Sequence, residues 1–353
     1  MLMEGVFAAV TTPFYPDERV YFRKLEANMA RYSRGLLAGM VVLGSTGEAV
    51  SLNDAETRDV LRVAAEATTP EKVLVAGVGR DSVRATLETA EAAAEFGYDA
   101  VLVRLPPYYA GVMAAESMLN YFRNVADRSP LPVLLYNIPR FVPNQIPVEV
   151  AAELAQHPNV IGIKESSGNM ERIGGLIAST KNAPKREVAV TGVFEAVTGR
   201  MLREQRKEPA PAHGFVPAME LTGGSAAAVT APPAMKTRTR EVGFQVLSGS
   251  LNTFLESLEA GASGAVLAFG ACAPQACQEV YLAWKDRDDA LAQTKQERIA
   301  GAAARIVSGL GISGVKYACD FNGFFGGRAR QPLLPLTAAE KREVEGLLAA
   351  IRN

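Results

Sequence analysis

Short apolar runs of four or five residues recur along the chain, at 6–10, 40–43, 73–76, 100–104, 133–137, 160–164, 244–247 and 264–268. They are continuous rather than alternating, the pattern of strands buried on both faces of a parallel sheet. Helical patterns lie between them. The clearest spans 81–97, with Asp81 or Ser82 as a cap, helix formers throughout and Gly97 as a stop. Segments 53–67, 113–127 and 170–180 behave likewise. Repeated strand–helix units predict an α/β fold, a (β/α)8 TIM barrel. A doubly wound sheet would want Gly-x-Gly-x-x-Gly after its first strand, and here Thr11-Thr12-Pro13-Phe14 follows instead.

Two regions stand apart from the repeat. From 290 to 353 the pattern predicts a C-terminal helical extension, with helices at 291–309 and 337–351 and a glycine- and aromatic-rich turn region at 309–327. The barrel itself occupies 1–289 and is interrupted at about 184–242, where a barrel needs only a few residues. Within this insertion 193–208 reads as a helix with Phe194, Val197, Met201 and Leu202 on one side. Pro209, Pro211, Pro217, Gly223, Gly224, Pro232 and Pro233 then read as loop or disorder. A helix-to-strand connection enters a barrel at its N-terminal face, opposite the usual active-site face. The insertion is therefore expected to serve assembly or regulation.

Composition narrows the class. A hydrophobic content of 48% over 353 residues supports a large core. The formal net charge of −1, with no basic cluster, argues against a nucleic-acid partner. Cys272, Cys277 and Cys319 form neither a disulfide framework nor a metal-binding spacing and fit a reducing interior. The start of the chain lacks a basic segment followed by an apolar one, so no signal peptide is expected. No apolar run reaches the roughly 18 residues that span a membrane. A cytoplasmic enzyme with no membrane partner is the expectation.

Polar residues collect at the C-terminal ends of the strands, where barrel catalytic groups converge. Strand two ends in Gly44-Ser45-Thr46-Gly47-Glu48, whose hydroxyls and amides can hold a carboxylate. Strand four ends in Pro106-Pro107-Tyr108-Tyr109, strand five in Tyr136-Asn137-Ile138-Pro139, and strand seven in Ser248-Gly249-Ser250. Strand six ends in Lys164. A lysine at the end of a buried strand is costly to keep charged, and a neutral amine can attack a carbonyl to form a Schiff base. A lone lysine there more often carries its ammonium to solvent. A tyrosine nearby can pass protons to and from a carbinolamine, with hydroxyls as relays. The two histidines, His157 and His213, supply neither a zinc set nor a Ser-His-Asp triad. No metal or cofactor is expected. A phosphate-binding isomerase barrel is disfavoured because Ala271-Cys272-Ala273-Pro274, not a glycine-rich loop, follows strand eight.

Gly44-Ser45-Thr46-Gly47-Glu48, Tyr136-Asn137-Ile138-Pro139 and Gly162-Ile163-Lys164-Glu165, in that order, resemble the signature set of the dihydrodipicolinate synthase / N-acetylneuraminate lyase superfamily. These are class I, Schiff-base aldolases on (β/α)8 barrels, usually tetrameric. The resemblance covers nearly the whole chain except the insertion. It implies that Lys164 forms an imine with pyruvate or another 2-oxo acid. Tyr136 would be the general acid/base, and Ser45 and Thr46 would bind the carboxylate and relay protons. Tyr109 matches a tyrosine that many members donate across a dimer interface, which implies a homo-oligomer, tetramer or dimer. Gly249, with Ser250 beside it, matches the position near substrate after strand seven. Glu48 would brace its loop.

The family's synthases carry an arginine two positions beyond Tyr-Asn-x-Pro. Here Phe141 holds that place and Arg140 stands one residue earlier. Ser250, Leu251 and Asn252 replace the acidic residues of sialic acid lyases. The segments Phe244-Gln245-Val246-Leu247-Ser248-Gly249-Ser250, Gly311-Ile312-Ser313-Gly314-Val315-Lys316 and Phe324-Phe325-Gly326-Gly327 are most similar to 4-hydroxy-2-oxoglutarate aldolase. The resemblance thus implies cleavage of 4-hydroxy-2-oxoglutarate to pyruvate and glyoxylate. Dihydrodipicolinate synthase activity, from pyruvate and aspartate semialdehyde, is the first alternative. A catalytically silent barrel that binds or regulates through its insertion is the second.

Overall fold

The computed structural model describes residues 1–193, 195–206 and 235–351. Eight parallel strands close into a barrel: β1 (Gly5–Ala9), β2 (Gly39–Val42), β3 (Val73–Gly77), β4 (Ala100–Arg104), β5 (Val133–Asn137), β6 (Val160–Glu165), β9 (Gln245–Ser248) and β10 (Gly264–Leu267). Their order around the wall follows the chain, and β10 returns to pair with β1. Nearly every strand residue is buried, which explains the unbroken apolar runs. At Gly162 an added Cβ would lie 2.2 Å from the Gln245 carbonyl oxygen, so β6 approaches β9 too closely for a side chain.

The helices follow local signals. Asn53 accepts from Glu56 N and Glu56 reaches back to Asn53 N, a capping box that starts α2 (Asp54–Glu66). Ser82 caps α3 (Val83–Phe96), and Gly97 ends it at φ +86°. In α4 (Ala115–Arg128) Met118, Tyr121, Phe122 and Val125 are buried at helical spacing, facing the sheet. Full burial of such a side chain contributes about 1.5–3 kcal/mol. Phe122→Ala, which opens a cavity, would cost about 3–5 kcal/mol. The shell also contains α1 (Phe22–Arg34), α5 (Val148–Leu154), α6 (Met170–Thr180), α8 (Phe254–Glu259) and α9 (Pro274–Lys285).

The insertion contributes β7 (Arg186–Thr191), α7 (Gly199–Arg206) and β8 (Thr237–Val242). β7 and β8 pair antiparallel as a separate two-stranded sheet, which the apolar-run pattern did not predict. Their burial alternates or is low, so neither produces a continuous apolar run. Three arginines tie these elements to the N-terminal ends of barrel strands. Arg186 donates to the Pro158, His157 and Val160 carbonyls. Arg200 reaches the Lys72 carbonyl and lies 3.7 Å from Asp99. Arg240 pairs with Glu4 at 2.6 Å. The helix read at 193–208 is observed at Gly199–Arg206. Phe194, His213 and the loop reading of 209–233 lie outside the described residues.

The C-terminal extension holds α10 (Asp289–Ala303), a π-helical turn (Ala304–Gly309), α11 (Gly311–Phe321) and α12 (Ala338–Leu348). α11 replaces the turn region expected there. Its glycines do not break it. A Cβ on Gly314 would lie 2.6 Å from the Ile306 carbonyl oxygen, so glycine permits the tight turn-to-helix contact. Val315, Ala318 and Cys319 supply the buried face.

Candidate active site

Lys164 and Tyr136 stand at the same level on neighbouring strands, β6 and β5. The Lys164 ammonium lies 3.2 Å from the Tyr136 hydroxyl and 4.3 Å from its ring centroid. Tyr136 Oη is in turn 3.4 Å from Ser45 Oγ. Lys164 is 4% exposed, Tyr136 6% and Thr46 9%, so the cluster sits within the barrel mouth. Lys164, Tyr136, Ser45, Thr46, Gly249, Ser250 and Arg140 line one cavity of about 170 Å³. Among the described residues Lys164 and Arg140 are its only cationic lining residues, and no carboxylate lines it.

Ser45–Gly47 forms a single 3-10 turn after β2. Glu48 ends it in the left-handed region, at φ 54°. Its carboxylate bonds Lys316 Nζ of α11 at 2.5 Å and accepts from Arg330 N at 2.8 Å. Lys316 also donates to the Thr12 carbonyl at 2.8 Å. Both members of this pair are almost wholly buried. Burial pushes the Lys316 ammonium below its usual range, against the opposing pull of Glu48. The pair pins the hydroxyl turn to the extension, and among the described residues neither member hydrogen-bonds Lys164 or Tyr136.

A Cβ on Gly249 would collide with Ser166 Oγ, 1.8 Å away. The backbone after β9 can therefore lie against the loop after β6 only as glycine. Gly249 N donates to the Glu165 carbonyl at 2.6 Å. Ser166 also lines the cavity, and among the described residues its buried Oγ has no hydrogen-bond partner. Arg140 sits at the rim and donates to the Val307 and Ser308 carbonyls at 3.2 and 3.0 Å. These carbonyls belong to the π-helical turn, whose terminal acceptors are free to receive a cation. Phe141 is 52% exposed beside it.

Tyr109 is not brought to the cluster. It is 61% exposed on the loop after β4, edge-on to Tyr108 with ring centroids 5.1 Å apart. The wall supplied by Ala303, Val307, Ile312 and Val315 was absent from the sequence reading. Its signal was available in the apolar positions flanking Gly311 and Gly314, which the glycines obscured. Glu165 and Arg172 were also missed, because a charged pair in sequence looks like surface.

The model of the Dihydrodipicolinate synthetase family matches residues 2–201 and 227–351, almost the whole chain. This chain belongs to the dihydrodipicolinate synthetase family. A 4-hydroxy-tetrahydrodipicolinate synthase of Natronomonas pharaonis is 36% identical over 177 residues, 50% of this chain and 59% of the relative. The first relatives thus match over little more than half their own length. A second enzyme of that name, from Acidiphilium cryptum, is 26% identical over 99% of both chains. Among solved structures, a dihydrodipicolinic acid synthase family protein from E. coli K12, determined in complex with pyruvate, has a TM-score of 0.77. It is 22% identical and covers 99% of both chains, which shows a shared fold. Within the family, the Lys164–Tyr136–Ser45 cluster marks the C-terminal mouth of the barrel as the candidate active site.

Among the described residues no helix is long and apolar enough to cross a membrane.

Proposed function

We propose that this protein is a class I aldolase that joins pyruvate to, or releases it from, an aldehyde bearing a carboxylate. The observation that carries the reading is the hydrogen-bonded path from Lys164 through Tyr136 to Ser45. Lys164 Nζ, as the free amine, attacks the C2 carbonyl of pyruvate and forms a C–N bond. Tyr136 gives a proton to the carbinolamine oxygen, water leaves, and an imine remains. The Tyr136 phenolate left by that transfer takes a C3 proton to give the enamine, whose C3 attacks the aldehyde carbon while the aldehyde oxygen takes the proton back from Tyr136. Hydrolysis of the new imine returns Lys164. Cleavage runs these steps in reverse. Ser45 and Thr46 hold the pyruvate carboxylate, with their turn fixed by the Glu48–Lys316 pair. Gly249 and Ser250 flank the substrate on the opposite wall.

Arg140 supports a carboxylate on the aldehyde, because among the described residues lining this cavity it is the one cation besides the nucleophile. Aspartate semialdehyde fits that chemistry, and the synthase names of the relatives favour it over the cleavage reading drawn from the chain's own motifs. Two observations support the 4-hydroxy-2-oxoglutarate reading. Among the described residues Ser166 Oγ has no partner at the cavity wall, where a substrate hydroxyl would supply one. Phe141 in place of the synthase arginine points the same way.

Tyr109 supports a homo-oligomer. Its exposed ring stands edge-on to that of Tyr108, and an exposed aromatic pair of this kind is what a second copy would cover. Contact with the partner's site would then complete the proton relay.

The test runs two assays in parallel. One is coupled turnover of pyruvate with aspartate semialdehyde, and the other is pyruvate release from 4-hydroxy-2-oxoglutarate. N-acetylneuraminate and 2-keto-3-deoxygluconate serve as comparisons. Synthase turnover alone supports the first reading, and cleavage of 4-hydroxy-2-oxoglutarate alone supports the second. Activity only on the comparison substrates removes the carboxylate-bearing aldehyde. Failure to react with any of them, in a folded protein, returns the silent-barrel alternative.

A further inference from the structure

Side chains alternate along a strand, so the residues that follow Lys164 and Tyr136 point away from the cavity. Those residues are Glu165 and Asn137, and they face each other across β5 and β6. Asn137 Nδ2 lies 2.9 Å from both carboxylate oxygens of Glu165. Glu165 also accepts from Ser167 N at 2.7 Å and from Arg172 Nε at 2.6 Å. Arg172 is delivered by the first turn of α6, where its own N–H donates to the capping Asn169 side chain. Its Nη2 reaches the Ile146 carbonyl, while Ile146 N donates to Asn137 Oδ1. The ring of bonds thus closes through the loop after β5. Glu165 is fully buried and Asn137 is 1% exposed.

A buried carboxylate is retained only where its donors offset desolvation. Here every donor belongs to an element that carries or flanks the nucleophile. The network fixes the level of β5 against β6, which is also the level of Tyr136 against Lys164. It holds both loops that leave these strands. The Glu165 carbonyl further accepts from Gly249 N, bringing the third wall into the same frame.

We propose that Asn137, Glu165 and Arg172 are positioning residues that hold the Lys164 amine in line with its proton donor, without touching substrate. The proposal rests on Lys164 acting as the imine-forming lysine. Disturbing the network should slow imine formation far more than it weakens pyruvate binding, because a shift of about 1 Å in reacting groups can cost about 10²-fold.

The experiment compares wild type, Asn137→Ala and Arg172→Lys. Its readouts are the rate of borohydride-trapped pyruvate adduct, the pyruvate concentration at half-maximal trapping, the pH profile of trapping, and Tm. The expected result is a roughly 10- to 100-fold slower trapping rate in Asn137→Ala, with half-saturation within about threefold of wild type and a displaced pH profile. Arg172→Lys keeps a charge beside Glu165 but cannot also reach Ile146, and should give an intermediate rate. If Asn137→Ala does not fold, Arg172→Lys alone decides. A lowered Tm with a wild-type trapping rate and pH profile in the folded variants would overturn the proposal and leave a purely structural network. A wild type that forms no adduct overturns the aldolase reading itself, and this proposal with it.

Discussion

Lys164 and Tyr136 occupy paired positions on adjacent parallel strands, with amine and phenol 3.2 Å apart. At that distance one group hands a proton to a species formed on the other without a diffusive step. Tyr136→Phe therefore separates the two roles. The Lys164 adduct should still form, though more slowly, and turnover should fall by about 10²–10⁴. Steady-state rates measured beside trapped-adduct yields check this, and an unaltered turnover rate would remove Tyr136 from the proton path.

The barrel was legible because each of its strands is buried on both faces and leaves an apolar run. Each expected strand falls within one residue of the observed boundaries at both ends. The β7–β8 hairpin was not legible, since Thr237–Val242 is a charged strand with mostly exposed side chains. Helix α11 was hidden by Gly311, whose φ of +67° favours glycine, and by Gly314, where close packing excludes a side chain inside the helix. At the site, Lys164, Tyr136 and Ser45 could be found because their types and strand-end positions imply chemistry. Glu165 and Arg172 could not, since only the fold turns two charged residues seven apart into a buried pair at 2.6 Å.

Lys316 and Glu48 form the second buried pair, 2.5 Å apart. Lys316→Met leaves Glu48 without its charge partner and should cost about 3–5 kcal/mol of stability at neutral pH. Urea unfolding of the two proteins at neutral pH checks this, and a loss below about 1 kcal/mol would contradict the brace.

Asp99 offers a pH test of the insertion's anchorage. Burial raises its carboxyl above the ordinary value of 3.8, while Arg200 pulls it back. The folded chain then holds this proton more tightly than the unfolded chain. Its contribution therefore grows as pH falls through the raised value and is complete below about 3.8. Relative to Asp99→Asn, wild type should gain stability over that window. A difference that is flat with pH, or that moves the other way, would show that Asp99 does not titrate as its surroundings require.

If Tyr109 completes a neighbouring copy's site, Tyr109→Ala should lower turnover about tenfold or more while Lys164 still forms its adduct. Mixing this variant with Lys164→Ala should restore turnover once subunits exchange, because some sites then receive an intact lysine and an intact tyrosine. Native mass spectrometry confirms exchange. Mixed assemblies with no gain over the separate variants would place Tyr109 outside the relay.

The central claim is tested most directly by treating the protein with pyruvate and borohydride and locating the added mass by peptide mapping. The account predicts a reduced pyruvate adduct on Lys164, absent from Lys164→Ala although that variant remains folded. No adduct on the folded wild type, or one on Lys316 or another lysine in place of Lys164, would contradict it.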